Sequence, residues 1–275
     1  MKSNRRKKSA GAIVLASELL DNNTSNGHDS LDRTVVVKKN SNSRKEKKIK
    51  FDYHLKKLKE KVSLTESQSE LSKKIDSNII TFITGPAGTA KSFTACYTLL
   101  KALFEFKIEK IIFTKPIKES GENLGFLPGD ISQKLDPYVE SFKYLCKELI
   151  GEETLEFLEQ NQWLEYRPLA YMRGITFNDC GLFLDEAQNS VAEQLMLYIS
   201  RLGKNSKMVI AGDITQRDIE KKKVVMPDFI NMMSGLEGIT LHEFERKDIV
   251  RHPLLVEITD RYEQWKEKRE NGSNK

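Results

Sequence analysis

Cysteine and long apolar runs are scarce in this sequence, and each scarcity excludes a class of protein. The three cysteines, Cys96, Cys146 and Cys180, form no CxxC pair, and an odd number so widely spaced cannot make a disulfide framework. A reduced, cytosolic compartment is the simple interpretation, with each thiol a small buried hydrophobe. No apolar run reaches the roughly 20 residues that a membrane-spanning helix needs.

The amino terminus has only part of the pattern of a secretory signal peptide. A basic cluster at residues 5–8 precedes an apolar stretch at residues 10–20, but Glu18 interrupts that stretch and no small-residue cleavage site follows. We therefore expect a cytoplasmic protein without membrane contact, located in the host cytoplasm if the chain is encoded by a phage.

Acidic and aromatic residues are rare in the first fifty positions. Residues 1–50 hold 13 Lys and Arg against 5 Asp and Glu, and the first aromatic residue is Phe51. Such a segment buries too little apolar surface to offset the entropy of ordering it. We predict a basic, flexible arm over residues 1–50 and one folded domain over residues 51–275. The charge of the arm fits attraction to nucleic-acid phosphates, and it fits equally a solvated tail without a specific partner.

Beyond the arm, short apolar runs alternate with helical stretches. Runs that are apolar on successive positions predict strands buried on both faces, at residues 78–84, 110–114, 180–185, 207–212 and 239–244. Helices are predicted at residues 92–106, 136–150, 190–202 and 253–269. The third of them opens with Ser190 and Glu193, which read as a capping box. This alternation predicts an α/β fold with a mainly parallel sheet.

The strongest chemical signal follows the first predicted strand. Residues 85–92 read GPAGTAKS, which is close to the P-loop pattern GxxxxGK[ST] and stands between a strand and a helix, as that motif requires. Lys91 would reach the β- and γ-phosphates of a nucleotide, and the Ser92 hydroxyl would bind Mg²⁺. The backbone that would cradle the phosphates is formed by Gly85, Pro86, Ala87, Gly88, Thr89, Ala90, Lys91, Ser92 and Phe93.

One position of this motif departs from the pattern. Ala90 stands where the second glycine is usual, and alanine resists the positive φ that glycine accepts. Nucleotide binding is still expected, with its affinity lowered by the extra methyl group. The alternative is a tight strand–helix turn with an incidental Lys-Ser pair.

Two further strand ends carry polar residues. Asp185 and Glu186 close an apolar run, where P-loop enzymes place an Asp on Mg²⁺ and a Glu that orients or deprotonates the attacking water. Taken alone, such a pair is an ordinary helix N-terminus. Gln216, in the segment GDITQ, could contact the γ-phosphate or the attacking water, or belong to a simple loop turn.

These segments together resemble the PhoH-like family of P-loop ATPases. The resemblance runs from about residue 64 to residue 262 and rests on the ordered blocks GPAGTAKS, TKP, GENLGFLPG, DPY, RG, LDEAQN, SRLG, GDITQRD and VRHPLL. It implies a RecA-like core similar to the first motor domain of superfamily 1 helicases. Members of the family occur in bacteria and tailed bacteriophages, and they are regarded as ATPases and candidate RNA helicases. The resemblance does not extend to residues 1–50.

The resemblance also assigns roles to single residues. Lys91 and Ser92 match phosphate and Mg²⁺ ligands, Asp185 and Glu186 match the metal ligand and the water-activating acid, and Gln216 matches a phosphate sensor. Gln68 is similar to a helicase glutamine that reads adenine, although an exposed helix residue is an equal alternative. Arg251 resembles an arginine that contacts the γ-phosphate, and Arg201 is a second candidate unless it only caps a helix. Lys115 would touch a nucleic-acid backbone or cap the second strand, and His252 is a turn residue.

Two classes of function fit the sequence. The first is an ATP-hydrolysing, Mg²⁺-dependent motor on single-stranded nucleic acid, with RNA favoured over DNA. The second is a nucleotide-dependent switch that binds a protein partner and hydrolyses ATP slowly or not at all. A motor made from one such domain needs other subunits as its second domain, so we expect a homo-oligomer, for which related RecA-like ATPases suggest a hexameric ring. No acceptor pocket for a small-molecule kinase is recognisable.

Overall fold

A six-stranded parallel sheet organises the computed structural model, which describes residues 41–116, 131–213 and 226–250 and most positions between 254 and 265. Its strands are β1 (Ile80–Thr84), β2 (Lys110–Thr114), β3 (Leu164–Tyr166), β4 (Cys180–Leu184), β5 (Lys207–Ala211) and β6 (Ile239–Glu243). Their order across the sheet is β3-β2-β4-β5-β1-β6, and every pairing is parallel. The predicted α/β fold with a mainly parallel sheet is confirmed.

Helices connect these strands. They are α1 (Ser41–Lys61), α2 (Glu66–Ser77), α3 (Lys91–Phe104), α4 (Ile131–Ile150), α5 (Glu152–Gln160), α6 (Ala192–Ile199) and α7 (Met226–Met233). The described positions between 254 and 265 are helical as well, within the helix predicted there. Within the described ranges, no helix combines the length and the apolar character that crossing a bilayer requires.

Both faces of the sheet are buried, which explains why its strands read as continuous apolar runs. Successive residues of β2 illustrate the arrangement: Ile111 and Phe113 join the core cluster beneath α1 to α5, whereas Ile112 joins the cluster beneath α6 and α7. The protein is therefore built in three layers, with helices on each side of one sheet.

The predicted strands all form, with ends within two residues of those expected, while β3 was missed because it has only three residues. The predicted capping box is wrong. Helix α6 begins at Ala192 with Val191 as its N-cap, and the Val191 amide donates to Gln194 Oε1 at 3.0 Å. Ser190 instead ends the 3₁₀ turn before the helix, so its side chain is not in the capping position.

The folded domain begins before the boundary expected from composition. The structure separates residues 1–40, which lie outside the described part, from a unit that starts at Ser41. Residues 41–50, assigned above to the arm, form the first half of α1. They are held because Phe51 is buried against Phe104 and Trp163, and because the Lys47 ammonium lies 4.0 Å from the centre of the Trp163 ring. The boundary after residue 50 therefore falls inside a helix.

The strand order decides where the candidate site lies. β1, β5 and β4 are neighbours, and in parallel strands all carboxyl ends meet at one edge of the sheet. The P-loop follows β1, the Asp185–Glu186 pair follows β4, and Gly212 and Asp213 follow β5. Three segments far apart in the chain are thereby brought to one edge.

Candidate nucleotide-binding site

The P-loop turns sharply between β1 and α3. Gly85 has a φ of +139°, and a Cβ atom there would lie 2.6 Å from the Cβ of Phe244, so this position requires glycine. Gly88 has a φ of +90°, and the buried Thr89 hydroxyl donates to the Pro86 carbonyl at 3.0 Å. The loop is therefore shaped by its own sequence before any ligand binds.

Ala90 adopts the conformation that alanine was expected to resist. Its φ of +63° and ψ of +34° are left-handed, and it is the N-cap of α3 without any side-chain capping bond. The turn therefore keeps the geometry of the glycine pattern, at an energetic cost to the residue that occupies it.

Lys91 begins α3 and folds back over the loop. Its Nζ atom donates to the carbonyl oxygens of Gly85 at 2.6 Å and of Pro86 at 2.9 Å. The ammonium thus lies above the concavity that the loop encloses at the positive end of the α3 dipole, where an anion is stabilised.

Ser92 and Asp185 meet at the end of the sheet. The Ser92 hydroxyl donates to Asp185 Oδ2 at 2.9 Å, across a separation of 93 residues in the chain. Burial raises the pKa of the Asp185 carboxyl, and the neighbouring Glu186 charge raises it further, while the Ser92 hydrogen bond and Lys115 oppose the shift. A cation bound beside this carboxylate would favour its charged form.

These two side chains fit a magnesium ion. Mg²⁺ prefers oxygen ligands and is usually held by one or two protein groups together with waters and substrate phosphates. Among the described residues no group of three His, Cys, Asp or Glu could hold a metal by itself. Ser92 and Asp185 would therefore bind Mg²⁺ together with the phosphates of a nucleotide.

Glu186 is oriented by two neighbours. The chain turns at this residue with a φ of +55°, and its amide donates to Asp185 Oδ1 at 3.0 Å. Its carboxylate accepts a hydrogen bond from Gln188 Nε2 at 2.6 Å on Oε2 and lies 3.8 Å from Lys115 Nζ through Oε1. Gln188 in turn accepts a hydrogen bond from the Asp213 amide at 3.0 Å. The side chain of Gln188 therefore links the ends of β4 and β5.

The site contains residues that sequence reasoning missed. A cavity of about 490 Å³ is lined by the P-loop, Asp185, Glu186 and Asp213, and also by Ser141, Tyr144 and Leu145 of α4. Val250 lines it too, and its amide donates to the Gly88 carbonyl at 3.0 Å. Phe93 and Lys115 complete the walls. No sequence motif marks the α4 residues, because only packing brings that helix to the loop.

Two other candidate residues, Gln68 and Arg201, make hydrogen bonds that stabilise the fold. Gln68 is buried rather than exposed, and its Oε1 atom accepts a hydrogen bond from the Thr65 amide at 3.1 Å, as part of the cap of α2. Arg201 donates to the carbonyls of Leu197 and Ile175, each at 3.1 Å, near the start of β4. Because that is the opposite edge of the sheet from the P-loop, Arg201 is not part of the site formed within one chain. Gln216, Arg251 and His252 lie outside the described residues.

A comparison with known proteins identifies the family. A family model described as "PhoH-like protein" matches residues 62–263 of this chain. The chain belongs to the PhoH-like family. A PhoH-like protein of Bacillus subtilis (strain 168) is 40% identical over 200 residues, covering 72% of this chain and 63% of the relative. A PhoH-like protein of Synechocystis is 34% identical over 252 residues, covering 91% and 72%. Protein PhoH of Escherichia coli K12 is 33% identical over 200 residues, covering 72% and 56%.

The PhoH-like match covers the six strands, the P-loop and the Asp185–Glu186 pair, and it begins just after α1. The chain spans less than two thirds of several of the relatives that it matches. A crystal structure of the Pif1 helicase from Candida albicans is similar over 67% of this chain and 40% of that one, at 15% identity and a TM-score of 0.36.

Proposed function

We propose that this PhoH-like protein binds ATP and hydrolyses it with Mg²⁺. The observation that carries the proposal is the contact between the Ser92 hydroxyl and Asp185 Oδ2 beside Glu186, at the mouth of a formed P-loop. A phosphate-binding loop, a pair of magnesium ligands and a carboxylate placed for water activation are the parts that phosphoryl transfer to water requires.

In this proposal each group at the site has its own role in ATP hydrolysis. Mg²⁺ supplies charge neutralisation for the phosphates when it is bound. The loop amides and Lys91 hold the β- and γ-phosphates and offset the charge that builds on the leaving ADP. Glu186 orients a water molecule and accepts its proton, while the water oxygen bonds to the γ-phosphorus and the bond to the ADP oxygen breaks. Gln188 keeps the Glu186 carboxylate at the edge of the cavity.

Single-stranded RNA is the partner that we propose for this activity. Its support is the basic excess of residues 1–50 and the helicase resemblance of the motif set. A homo-oligomer belongs to the same proposal, since Arg201 lies on the far edge of the sheet and could reach a nucleotide only on another subunit. A monomer in light scattering, with and without ATP, would contradict the oligomer.

A slow nucleotide switch is the second candidate function. Both carboxylate oxygens of Glu186 are engaged by neighbouring side chains, and Ala90 occupies a strained conformation. Each feature favours a long-lived ATP-bound state, in which a partner protein could be held until hydrolysis releases it.

ATP turnover with Mg²⁺ tests the main proposal. We expect Lys91→Ala to abolish turnover by weakening nucleotide binding, and Glu186→Gln to lower kcat by about 100-fold or more while ATP still binds, as loss of a general base does. Both variants are measured beside the wild type, with and without single-stranded RNA. Binding of ATP by the wild type with neither turnover nor an effect of RNA would exclude the motor and leave the switch.

A further inference from the structure

The Glu186 carboxylate contacts two side chains, Gln188 and Lys115, and the first contact is stronger than the second. Gln188 is buried, only 2% exposed, and its own carbonyl oxygen is fixed by the Asp213 amide. Its hydrogen bond to Glu186 is short, at 2.6 Å, so this restraint is built into the ends of β4 and β5. The Lys115 ammonium lies 3.8 Å from the other oxygen, beyond the range of a hydrogen bond. The lysine restraint is therefore electrostatic and exchangeable, whereas the glutamine restraint is not.

The sheet register explains why Lys115 is there. β2 and β4 pair with Thr114 opposite Leu184, and the Asp185 amide donates to the Thr114 carbonyl at 3.1 Å. The residue after each strand end is thereby brought beside its neighbour, with Lys115 next to the Asp185–Glu186 turn. Lys115 also lines the same cavity as Lys91 and Ser92. Its side chain is about one quarter exposed, which leaves it room to move.

We propose that the Lys115–Glu186 ion pair is a latch that a phosphate group opens. A phosphate entering this cavity is a stronger partner for an ammonium than a carboxylate oxygen 3.8 Å away, because it offers several charged oxygens at hydrogen-bond distance. When Lys115 moves to the phosphate, Glu186 keeps its bond to Gln188 and gains a free oxygen that can accept a proton from water. The inference rests on the proposed ATP hydrolysis and names its regulation.

Two sources of phosphate share this chemistry, and the experiment separates them. The variants are Lys115→Met, which removes the charge and keeps the length, and Lys115→Arg, which keeps the charge. Lys204→Met is the matched control, because Lys204 is an exposed lysine in the turn before β5, at the opposite edge of the sheet. Dissociation constants are measured for ADP and for a non-hydrolysable ATP analogue. Turnover is measured with and without a single-stranded uridine oligonucleotide.

Each source predicts its own pattern. If the terminal phosphate of the nucleotide opens the latch, Lys115→Met weakens binding of the ATP analogue by about tenfold and leaves ADP unchanged. If the RNA backbone opens it, both nucleotide affinities stay at the wild-type level, turnover without RNA rises by about threefold or more, and RNA no longer stimulates. In either case Lys115→Arg, which keeps the charge, changes each of these quantities less than Lys115→Met does.

One set of results would overturn the proposed latch. It is overturned if Lys115→Met matches Lys204→Met in both affinities and in turnover with and without RNA. A wild type that binds ATP and never hydrolyses it would overturn the proposed function separately. The ratio of ATP-analogue to ADP affinity would still test the nucleotide as the source, because it needs no turnover, and the RNA affinities of Lys115→Met and Lys204→Met would test the RNA backbone. If neither the ratio nor the RNA affinity differed between the two variants, the latch would be overturned as well.

Discussion

Ala90 shows how the chemistry of one residue can depart from a motif while the geometry is kept. The backbone at this position is left-handed, with a φ of +63°. For an L-residue with a side chain, that conformation is about 1–2 kcal/mol higher in free energy than the right-handed one. Helix α3 starts at the next residue, Lys91, and the Ser92 hydroxyl donates to Asp185 from its first turn. The loop therefore stores strain at a residue that lines the candidate site.

Replacing Ala90 with glycine should release this strain. We expect Ala90→Gly to raise the free energy of unfolding by about 0.5 kcal/mol, since relief of the left-handed cost exceeds the added entropy of the unfolded chain. Urea denaturation without nucleotide measures the change. Ala95→Gly, inside α3, is the matched control and should lower stability by about 1 kcal/mol or more. Equal losses in the two variants would contradict the strain at Ala90.

At the scale of elements, α1 illustrates what composition conceals. Its sequence is basic and mostly polar, yet one side of the helix carries Phe51 and Leu58, both of them 1% exposed. The Phe51 ring lies 5.2 Å from Phe104 and 5.1 Å from Trp163, centre to centre. Lysine stems and ammonium groups cover the same aromatic surface from outside, as Lys47 does over Trp163. The helix is therefore a packed part of the domain.

Truncation of Phe51 tests whether α1 is integral to the domain. We expect Phe51→Ala to lower the free energy of unfolding by about 3–5 kcal/mol, the usual cost of removing a buried phenyl ring. Ile49→Ala on the same helix, where the side chain is 70% exposed, should change it by less than about 0.5 kcal/mol. Thermal or urea unfolding measures both. A small effect of Phe51→Ala would mean that α1 is detachable from the rest of the fold.

At the scale of the whole molecule, the excess of positive charge lies apart from the candidate site along the chain. The net charge is +5, while residues 1–50 alone hold 13 basic and 5 acidic residues, so the remainder of the chain is acidic on balance. Attraction to a polyanion would therefore arise mainly from the amino-terminal segment. Contacts that couple RNA to hydrolysis would have to lie on the core, near Lys115 and Glu186.

Deletion of residues 1–40, which ends just before α1, removes 8 basic and 4 acidic residues and leaves the basic start of α1 in place. We expect the full chain to bind single-stranded RNA with an affinity that falls steeply as salt rises, and the truncated chain to bind much more weakly with a shallower salt dependence. Fluorescence anisotropy at several salt concentrations measures both. Any RNA stimulation of turnover that survives the deletion places a second contact on the core. Identical salt slopes for the two chains would contradict attraction by the arm.

The sequence by itself determined the features that are contiguous in the chain. The P-loop was readable because its glycines, Lys91 and Ser92 stand in one turn, and five strands were readable because burial on both faces makes them apolar throughout. The Asp185–Glu186 pair followed from the end of such a strand. The predicted start of α6 was wrong, because two neighbouring residues compete for the N-cap position. Ser190 resembled an N-cap, but Val191 is the N-cap, and its amide is bonded to Gln194.

The tertiary structure alone decided which distant residues act together. Strand order placed β5 on one side of β4, which joins Gln188 to Asp213, and β2 on its other side, which joins Lys115 to Glu186. It also brought α4 to the loop, sent Arg201 to the far edge of the sheet, and gave Gln68 a partner in the cap of α2. These pairings depend on packing between elements separated by tens of residues, and a local pattern of residue types carries no information about such distances.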